Sequence, residues 1–297
     1  MSQRMTWAVI DGANEEGLLP FLAEHNPPHS CLYAEPLQPE LIALAPYLLE
    51  VTEEVAAWLA TKTSPWGIYL HSSVAMKELR QHLRKFLQIQ IPGEEKPVFF
   101  RFYDPRTIWD FCAVLSDWEI HSFMGPIEKI QSVYDGVVRE DGFENIRKQF
   151  PFSAQSRRKL FVLEQAQLDL LNKQAEARYI AALTGVMKVN YLPCLSILAS
   201  SDAYGLLDEE KRRREMLRKE REPLIESAVS ECFYFCKSKG IEDDRSIRGL
   251  LSLMMDKQVF SIEAMPARWL SLLNDEQLPG YYRAERLLKQ ELGHIPR

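Results

Sequence analysis

Short apolar runs alternate with helix-like segments through the first half of the chain. The clearest run, residues 6–11, is followed by Gly12-Ala13-Asn14, which is typical of a turn from a strand into a helix capped by Asn14. Further extended runs are predicted at residues 31–34, 47–51, 65–70, 87–91 and 97–103. Apolar spacings of three and four residues predict helices at residues 53–61 and 74–86. This alternation predicts an α/β lobe in which helices flank a mixed sheet.

The second half of the chain has a different pattern, in which helix formers dominate. Residues 165–182 contain neither proline nor glycine. One helix face is predicted from the spacing of Ile247, Leu250, Leu251 and Met254. Starts or ends of helices are predicted near Pro193, Pro223, Pro266 and Pro279. We therefore predict an α/β domain at residues 1–150 and an all-α lobe at residues 151–297.

Charge adds to this picture, because the chain carries 36 Lys and Arg residues against 42 Asp and Glu residues, a formal net charge of −6. This balance argues against a nucleic-acid partner held by a broad basic surface. The N-terminus lacks the features of a signal peptide, and no apolar run has the length of a membrane-spanning helix. The five cysteines form no Cys-x-x-Cys pair, which favours free, buried thiols. We expect a cytoplasmic protein without a membrane partner.

One segment is unusually rich in charge: residues 208–222 contain 13 charged residues in 15, six acidic and seven basic. Glu210 and Arg214, like Glu215 and Lys219, are four residues apart with the acid first, the order that favours ion pairs along a helix. The segment is typical of a solvated helix with ion pairs on its surface. The alternative is that its basic run, Lys211, Arg212, Arg213 and Arg214, docks an acidic partner.

Known catalytic and metal-binding motifs are absent from the sequence. It contains no glycine-rich phosphate-binding loop, no Gly-x-Ser-x-Gly and no His-Glu-x-x-His. The six histidines show no metal-ligand spacing, either among themselves or with cysteine. We therefore expect neither a metal nor a cofactor.

The densest polar motif is Phe99-Phe100-Arg101-Phe102-Tyr103-Asp104-Pro105-Arg106. In an extended strand, alternation places Arg101 and Tyr103 on the face opposite the flanking phenylalanines. Asp104 then suits the N-cap of a helix, with Pro105 as its first residue. Arg101 or Arg106 is expected to pair bidentately with Asp11 or another carboxylate at the strand ends. The motif is interpreted as a structural junction.

Seven short motifs occur in one order along the first half. They are Trp7-Ala8-Val9-Ile10-Asp11-Gly12-Ala13, Leu32-Tyr33, Leu44-Ala45-Pro46-Tyr47-Leu48, Trp66-Gly67, His82-Leu83-Arg84, Phe100-Arg101-Phe102-Tyr103-Asp104-Pro105-Arg106 and Phe123-Met124-Gly125-Pro126-Ile127. In this order they resemble the adaptor/chaperone family of bacterial type VI secretion systems, over about residues 5–128.

The resemblance implies a non-enzymatic role. Members of the family are encoded beside secreted toxins, hold the toxic effector or its N-terminal segment, and help to load it onto the valine-glycine-repeat (VgrG) spike. We expect the helical lobe to set the specificity for the toxin. The motif residues interpreted as structural are Asp11, Gly12, Trp66, Gly67, Arg101, Tyr103, Asp104, Pro105 and Arg106.

An alternative is an enzyme with an unfamiliar α/β site around Asp11, His71, Arg101, Asp104 and Arg106. Geometry distinguishes the two hypotheses. In an adaptor these polar residues are buried and paired with one another, whereas an enzyme lines an open cleft with them.

Overall fold

The computed structural model describes residues 5–34, 36–151, 154, 160–192 and 206–294. The chain divides into two compact units, the first ending at Gln174 and the second beginning at Ala175. The predicted fold class is confirmed, since the first unit combines a sheet with flanking helices and the second is built from helices. The division falls inside a long helix, Gln165–Tyr191, whereas the sequence places the change of lobe at residue 150.

Nine strands lie in the described part of the first unit. They are β1 (Met5–Asp11), β2 (His29–Cys31), β3 (Pro46–Glu50), β4 (Gly67–Ser72), β5 (Gln88–Gln90), β6 (Val98–Phe99), β7 (Lys129–Tyr134), β8 (Val137–Asp141) and β9 (Phe161–Val162). The main sheet has the order β2-β3-β1-β4-β7-β8, and all its neighbouring strands are antiparallel, whereas the sequence predicts a mixed sheet. The small second sheet, β6-β5-β9, contains a parallel β5–β9 pair.

Helices cover both faces of the main sheet. They include α1 (Leu18–His25), α2 (Pro39–Leu44), α3 (Glu53–Ala60), α4 (Met76–Leu83), α5 (Ile108–Val114), α6 (Asp117–Met124) and α7 (Glu144–Arg147). Trp7 and Val9 of β1 belong to one apolar core with α4, α5 and α6. Ala8 and Ile10 belong to a second core with α1 and α3. Because β1 is buried on both faces, its sequence is an almost unbroken apolar run.

The helix cap predicted at Asn14 is wrong. Helix α1 begins only at Leu18, and its N-cap residue is Gly17. The side-chain amide of Asn14 instead donates to Oδ2 of Asp11 at 3.0 Å and to a main-chain carbonyl before β4. Asn14 therefore stabilises the turn after β1, a role that competes with capping.

In the described part of the second unit, helices pack around a common apolar core. They are α8 (Gln165–Tyr191), whose first turns belong to the first unit, α9 (Leu206–Ser238), α10 (Asp244–Asp256), α11 (Ala267–Leu273) and α12 (Gly280–Leu292). The predicted face of α10 is confirmed by the burial of Ile247, Leu250, Leu251 and Met254. Residues of α8, α9, α11 and α12 complete the same core.

The prolines of the second unit mark helix boundaries only in part. Pro266 and Pro279 immediately precede α11 and α12, as predicted. Pro223 lies inside α9, so its prediction as a helix boundary is wrong. The helix continues past it because the following turns are buried in the core, for example at Ile225 and Val229. Pro193 lies outside the described residues.

The cysteines that the structure describes are buried thiols outside any disulfide, as predicted: Cys31, Cys112, Cys232 and Cys236. Cys194 lies outside the described residues. Burial raises the pKa of the Cys112 thiol to about 12, so this thiol stays protonated. Among the described residues, the helices are all too short or too polar to cross a bilayer. In that same part of the chain, no three His, Cys, Asp or Glu side chains gather as metal ligands would.

Candidate functional site

Asp11, the last residue of β1, is 1% exposed and is supplied with donors from three directions. Its Oδ1 accepts a hydrogen bond from the main-chain N–H of Ala13 at 3.1 Å. Its Oδ2 accepts from the amide of Asn14 and forms an ion pair with Arg101. A buried carboxylate is stable only with such partners, so Arg101 is part of what allows β1 to end inside the protein.

The backbone closes tightly around Asp11 at two glycines. A Cβ on Gly12 would lie 2.4 Å from a main-chain oxygen, and a Cβ on Gly67 would lie 1.9 Å from the carbonyl oxygen of Val9. Trp66 is buried, and its carbonyl accepts the N–H of Asp11 at 2.7 Å. Gly12, Trp66 and Gly67 therefore have roles in the close approach of β1, β3 and β4.

The segment after β6 differs from the strand that the sequence predicts. β6 ends at Phe99, and residues 101–104 form a turn in which the N–H of Asp104 donates to the carbonyl of Arg101 at 3.0 Å. Phe102 and Tyr103 are consequently both buried, and the predicted alternation of faces is wrong. The ladder between β5 and β6 has only two residue pairs, and one further main-chain bond, from the N–H of Phe100 to the carbonyl of Leu87 at 2.8 Å, precedes the turn.

Asp104 does not cap a helix, because α5 begins four residues later at Ile108. The carboxylate of Asp104 accepts the main-chain N–H of Arg106 at 2.9 Å. The guanidinium of Arg106 also binds it bidentately, with Nε 2.9 Å from Oδ1 and Nη2 2.6 Å from Oδ2. Pro105, predicted as the first helical residue, lies in the turn that results. The side-chain oxygens of Asp104 are occupied locally and are not available to a helix end.

Tyr103 lies between these two ion pairs. Burial raises its pKa, and its hydroxyl interacts with Tyr33 and with the charges of Arg101 and Asp104. Arg80 holds the main chain of Tyr33 by donating to its carbonyl at 3.1 Å. We call Asp11, Arg101, Tyr103, Asp104 and Arg106 the motif cluster. The bidentate pairing expected for an arginine is made by Arg106, whereas Arg101 reaches Asp11 through one nitrogen.

His71 lies apart from Asp11. On β4 it pairs across the sheet with Thr6, near the start of β1, and Asp11 ends that strand. Five residues of extended strand, about 17 Å, separate the two positions. The ring of His71 instead contacts the hydroxyl of Thr6 at 3.2 Å and the side chain of Gln131 at 3.4 Å. The site proposed in the enzyme hypothesis is therefore not assembled around His71 and Asp11.

Part of the chain is similar to a known protein family. Residues 6–122 match the family described as Domain of unknown function (DUF4123). This matched segment runs from β1 into α6 and contains the whole motif cluster, but it covers less than half of the chain. No curated protein and no solved structure matches the chain.

The basic run lies outside the matched segment, in the first turns of α9. The two predicted ion pairs along this helix are confirmed, with Glu210–Arg214 at 2.9 Å and Glu215–Lys219 at 3.5 Å. Lys211, Arg212 and Arg213 are exposed, and within the described part of the chain they form no ion pair. These three cations face solvent and are available to an acidic partner.

Sequence analysis missed a second surface outside the matched segment, the hairpin of β7 and β8. Its turn is Asp135-Gly136, and both residues have positive φ angles of 51° and 73°. Val137 and Val138 of β8 are 65% and 60% exposed. An Asp-Gly pair between two β-branched runs is a strong hairpin signal and was sufficient to predict this element.

Proposed function

We propose that the protein is a non-enzymatic adaptor that binds a toxic effector of a bacterial type VI secretion system in the cytoplasm and helps to load it onto a VgrG spike. Seven ordered motifs support this role, because they resemble that adaptor family over about residues 5–128. The match to the domain of unknown function spans nearly the same residues, 6–122. The role itself comes from the resemblance.

One observation carries the proposal: the charged side chains of the motif cluster are paired with one another. Asp11 and Asp104 are 1% and 7% exposed, and the carboxylate of each is paired with an arginine of the same cluster. A general acid or base must reach a proton of its substrate, and a nucleophile must reach the reacting atom. The carboxylates of the motif cluster are therefore positioned to stabilise the fold. This favours a binding function on exposed surfaces over catalysis at the motif cluster.

The second unit supplies one such surface. Its basic run presents Lys211, Arg212 and Arg213 to solvent on a helix whose later turns are anchored in the apolar core. Exposed charges of one sign favour the encounter with a partner of opposite charge. In this proposal the basic run meets an acidic segment of the effector, and the helical unit sets the specificity for it.

The test is a pull-down from the cytosol of the native bacterium with a tag on the full chain, followed by mass spectrometry of the bound proteins. We expect the toxin encoded beside this chain and a VgrG protein to be recovered together, and neither with the tag alone. Purified toxin and chain should then elute as one complex from a sizing column. If neither the toxin nor the VgrG protein is recovered, although both are present in the cytosol, the proposal is contradicted.

A further inference from the structure

A cavity of about 220 Å³ lies in the second unit, where the last turns of two helices meet α9. Among the described residues that line it, Tyr191 ends α8, Arg221 and Ile225 lie one turn apart on α9, and Met255 and Asp256 end α10. Sites for drug-sized ligands have volumes of about 300–1,000 Å³. This cavity is smaller, so it suits a single small metabolite.

Apolar side chains form part of the cavity wall. Ile225 and Met255 are 1% and 4% exposed, and both belong to the core of the second unit. After α10 the chain reverses at Gln258, which has a φ angle of 56° and whose N–H donates to the carbonyl of Met255 at 3.0 Å. This reversal brings Phe260 back to the cavity and against the same core. An apolar group of a ligand would therefore contact both aliphatic and aromatic side chains.

Arg221 is a half-buried cation without a partner in the described part of the chain. Its guanidinium forms no ion pair there, and the neighbouring Glu222 is bound by Lys188 at 2.7 Å. A guanidinium has five N–H donors in a planar arrangement that matches a carboxylate. Since burial removes part of its water, an anion in the cavity would supply the acceptors that it lacks.

The opposite charge is supplied by Asp256, which lines the same cavity. Its carboxylate accepts a hydrogen bond from the hydroxyl of Tyr191 at 3.0 Å and, within the described residues, pairs with no cation. α10 ends at Asp256, so the negative end of the helix dipole adds to this charge. The cavity therefore offers one position for an anion and another for a cation.

We infer that the cavity binds a free α-amino acid with an apolar side chain, such as leucine or methionine. The carboxylate of the amino acid pairs with Arg221, and its ammonium group pairs with Asp256. Its side chain contacts Ile225, Met255 and Phe260. The C-terminus of a peptide offers only the carboxylate and an N-terminus only the ammonium group, whereas a free amino acid carries both. The inference is independent of the proposed function.

The test titrates the full chain with leucine and with two analogues that each lack one charged group, followed by calorimetry. We expect leucine to bind with a Kd below about 1 mM, the upper limit of ordinary substrate affinities. Isoamylamine, which lacks the carboxylate, should bind at least about tenfold more weakly, because the guanidinium of Arg221 is then left unpaired. Isocaproate, which lacks the ammonium group, should bind at least about threefold more weakly, since Asp256 is exposed and its ion pair is worth less.

Two variants and a matched control locate this binding in the cavity. Arg221→Gln should weaken leucine binding at least about tenfold, and Asp256→Asn, which keeps an acceptor for Tyr191, at least about threefold. Arg218→Gln removes the same charge from a half-buried side chain of α9 that does not line the cavity, so it should bind leucine as the wild type does. All three variants should melt at the wild-type temperature, because none of the three side chains belongs to the apolar core.

Several results would overturn the inference. One is the absence of saturable heat with both leucine and methionine. Another is wild-type affinity in Arg221→Gln, or an equal loss in Arg221→Gln and Arg218→Gln, which would place the amino acid elsewhere. Isocaproate that binds as tightly as leucine would assign the cavity to a plain carboxylate and would also overturn the inference. None of these results bears on toxin binding, so the proposed function stands or fails separately.

Discussion

Cationic side chains have opposite roles in the motif cluster and in the basic run. In the motif cluster, Arg101 and Arg106 bind carboxylates that lie inside the protein. In the basic run, Lys211, Arg212 and Arg213 face solvent, without an ion pair among the described residues. A buried carboxylate without a cation costs several kcal/mol, whereas an unpaired cation on a solvated helix costs almost nothing. Changes in the first region should therefore affect folding, and changes in the second should affect only binding.

The largest effect is expected where the backbone closes around the motif cluster. A methyl group in Gly67→Ala would collide with the carbonyl oxygen of Val9, so β4 and β1 must separate at the centre of the sheet. We expect a loss of more than about 4 kcal/mol in the free energy of unfolding, seen as loss of soluble, folded chain. Gly136→Ala is the matched control, because Gly136 also has positive φ but no atom near the added methyl. It should cost only about 1 kcal/mol. Wild-type stability of Gly67→Ala would contradict the close approach of the two strands.

Removal of the arginine that pairs with Asp11 should have the next largest effect. Arg101→Ala leaves a buried carboxylate without its cation, and we expect the free energy of unfolding to fall by about 3 kcal/mol at pH 7. Urea denaturation measures this change. The double variant Asp11→Asn with Arg101→Ala should be more stable than Arg101→Ala alone, because the buried charge is then absent. If Arg101→Ala keeps its stability and loses toxin binding, the motif cluster is a contact surface.

The sequence predicts the cores of this protein better than its turns. The apolar run of β1 and the spaced residues Ile247, Leu250, Leu251 and Met254 are each enough to predict a buried element. An unbroken short apolar run is buried as a strand, and apolar residues three and four apart are buried as one face of a helix. The turn at residues 101–107 was not predictable in this way. There Asp104 is held by Arg106, and Tyr103 meets Tyr33 from a distant part of the chain. Side-chain contacts of this kind depend on the tertiary structure and override a local strand pattern.

In the motif cluster, the charged residues predict an arginine–carboxylate pair but not the other partners of Asp11. The sequence predicts that Arg101 or Arg106 pairs with Asp11 or another carboxylate, because an ionised group inside a core needs a partner, and it leaves open which pairs form. The structure pairs Arg101 with Asp11 and Arg106 with Asp104. The capture of Asn14 by the same aspartate was missed, since a side-chain amide serves a helix end or a turn equally well.

His82 is a further buried polar side chain, and its Nε2 forms a hydrogen bond with the main-chain carbonyl of Phe123 at 2.7 Å. Burial lowers its pKa to about 4. The unfolded chain takes up the proton near pH 6.5 and the folded chain does so only near pH 4, so stability falls as the pH decreases between these values and levels off below pH 4. We expect a loss of about 2 kcal/mol between pH 7 and pH 5, measured by urea denaturation. His82→Gln keeps a donor but does not titrate, and this loss should disappear. A similar loss in His82→Gln would assign the effect to other groups.

The smallest effect on folding, and the one most specific to binding, is expected in the basic run. Reversal of charge at Lys211, Arg212 and Arg213 to glutamate should change the free energy of unfolding by less than about 0.5 kcal/mol, because these side chains are exposed. Toxin binding should weaken about tenfold at low salt, and the difference from the wild type should shrink as salt screens the charges. Titration calorimetry at two salt concentrations measures the affinity for the toxin and its dependence on salt.

A matched control separates the basic run from net charge alone. Lys257, Arg286 and Lys289 are exposed, belong to the same unit and form no ion pair in the described part of the chain, so their reversal changes the net charge equally. If only the reversal at 211–213 weakens binding, these cations contact the toxin, because long-range attraction alone would respond to both triple variants. Equal weakening of toxin binding in the two variants would show that the basic run acts only through its contribution to the net charge of the protein. A large loss of stability in the first variant would instead make the basic run part of the fold, and the contrast with the motif cluster would fail.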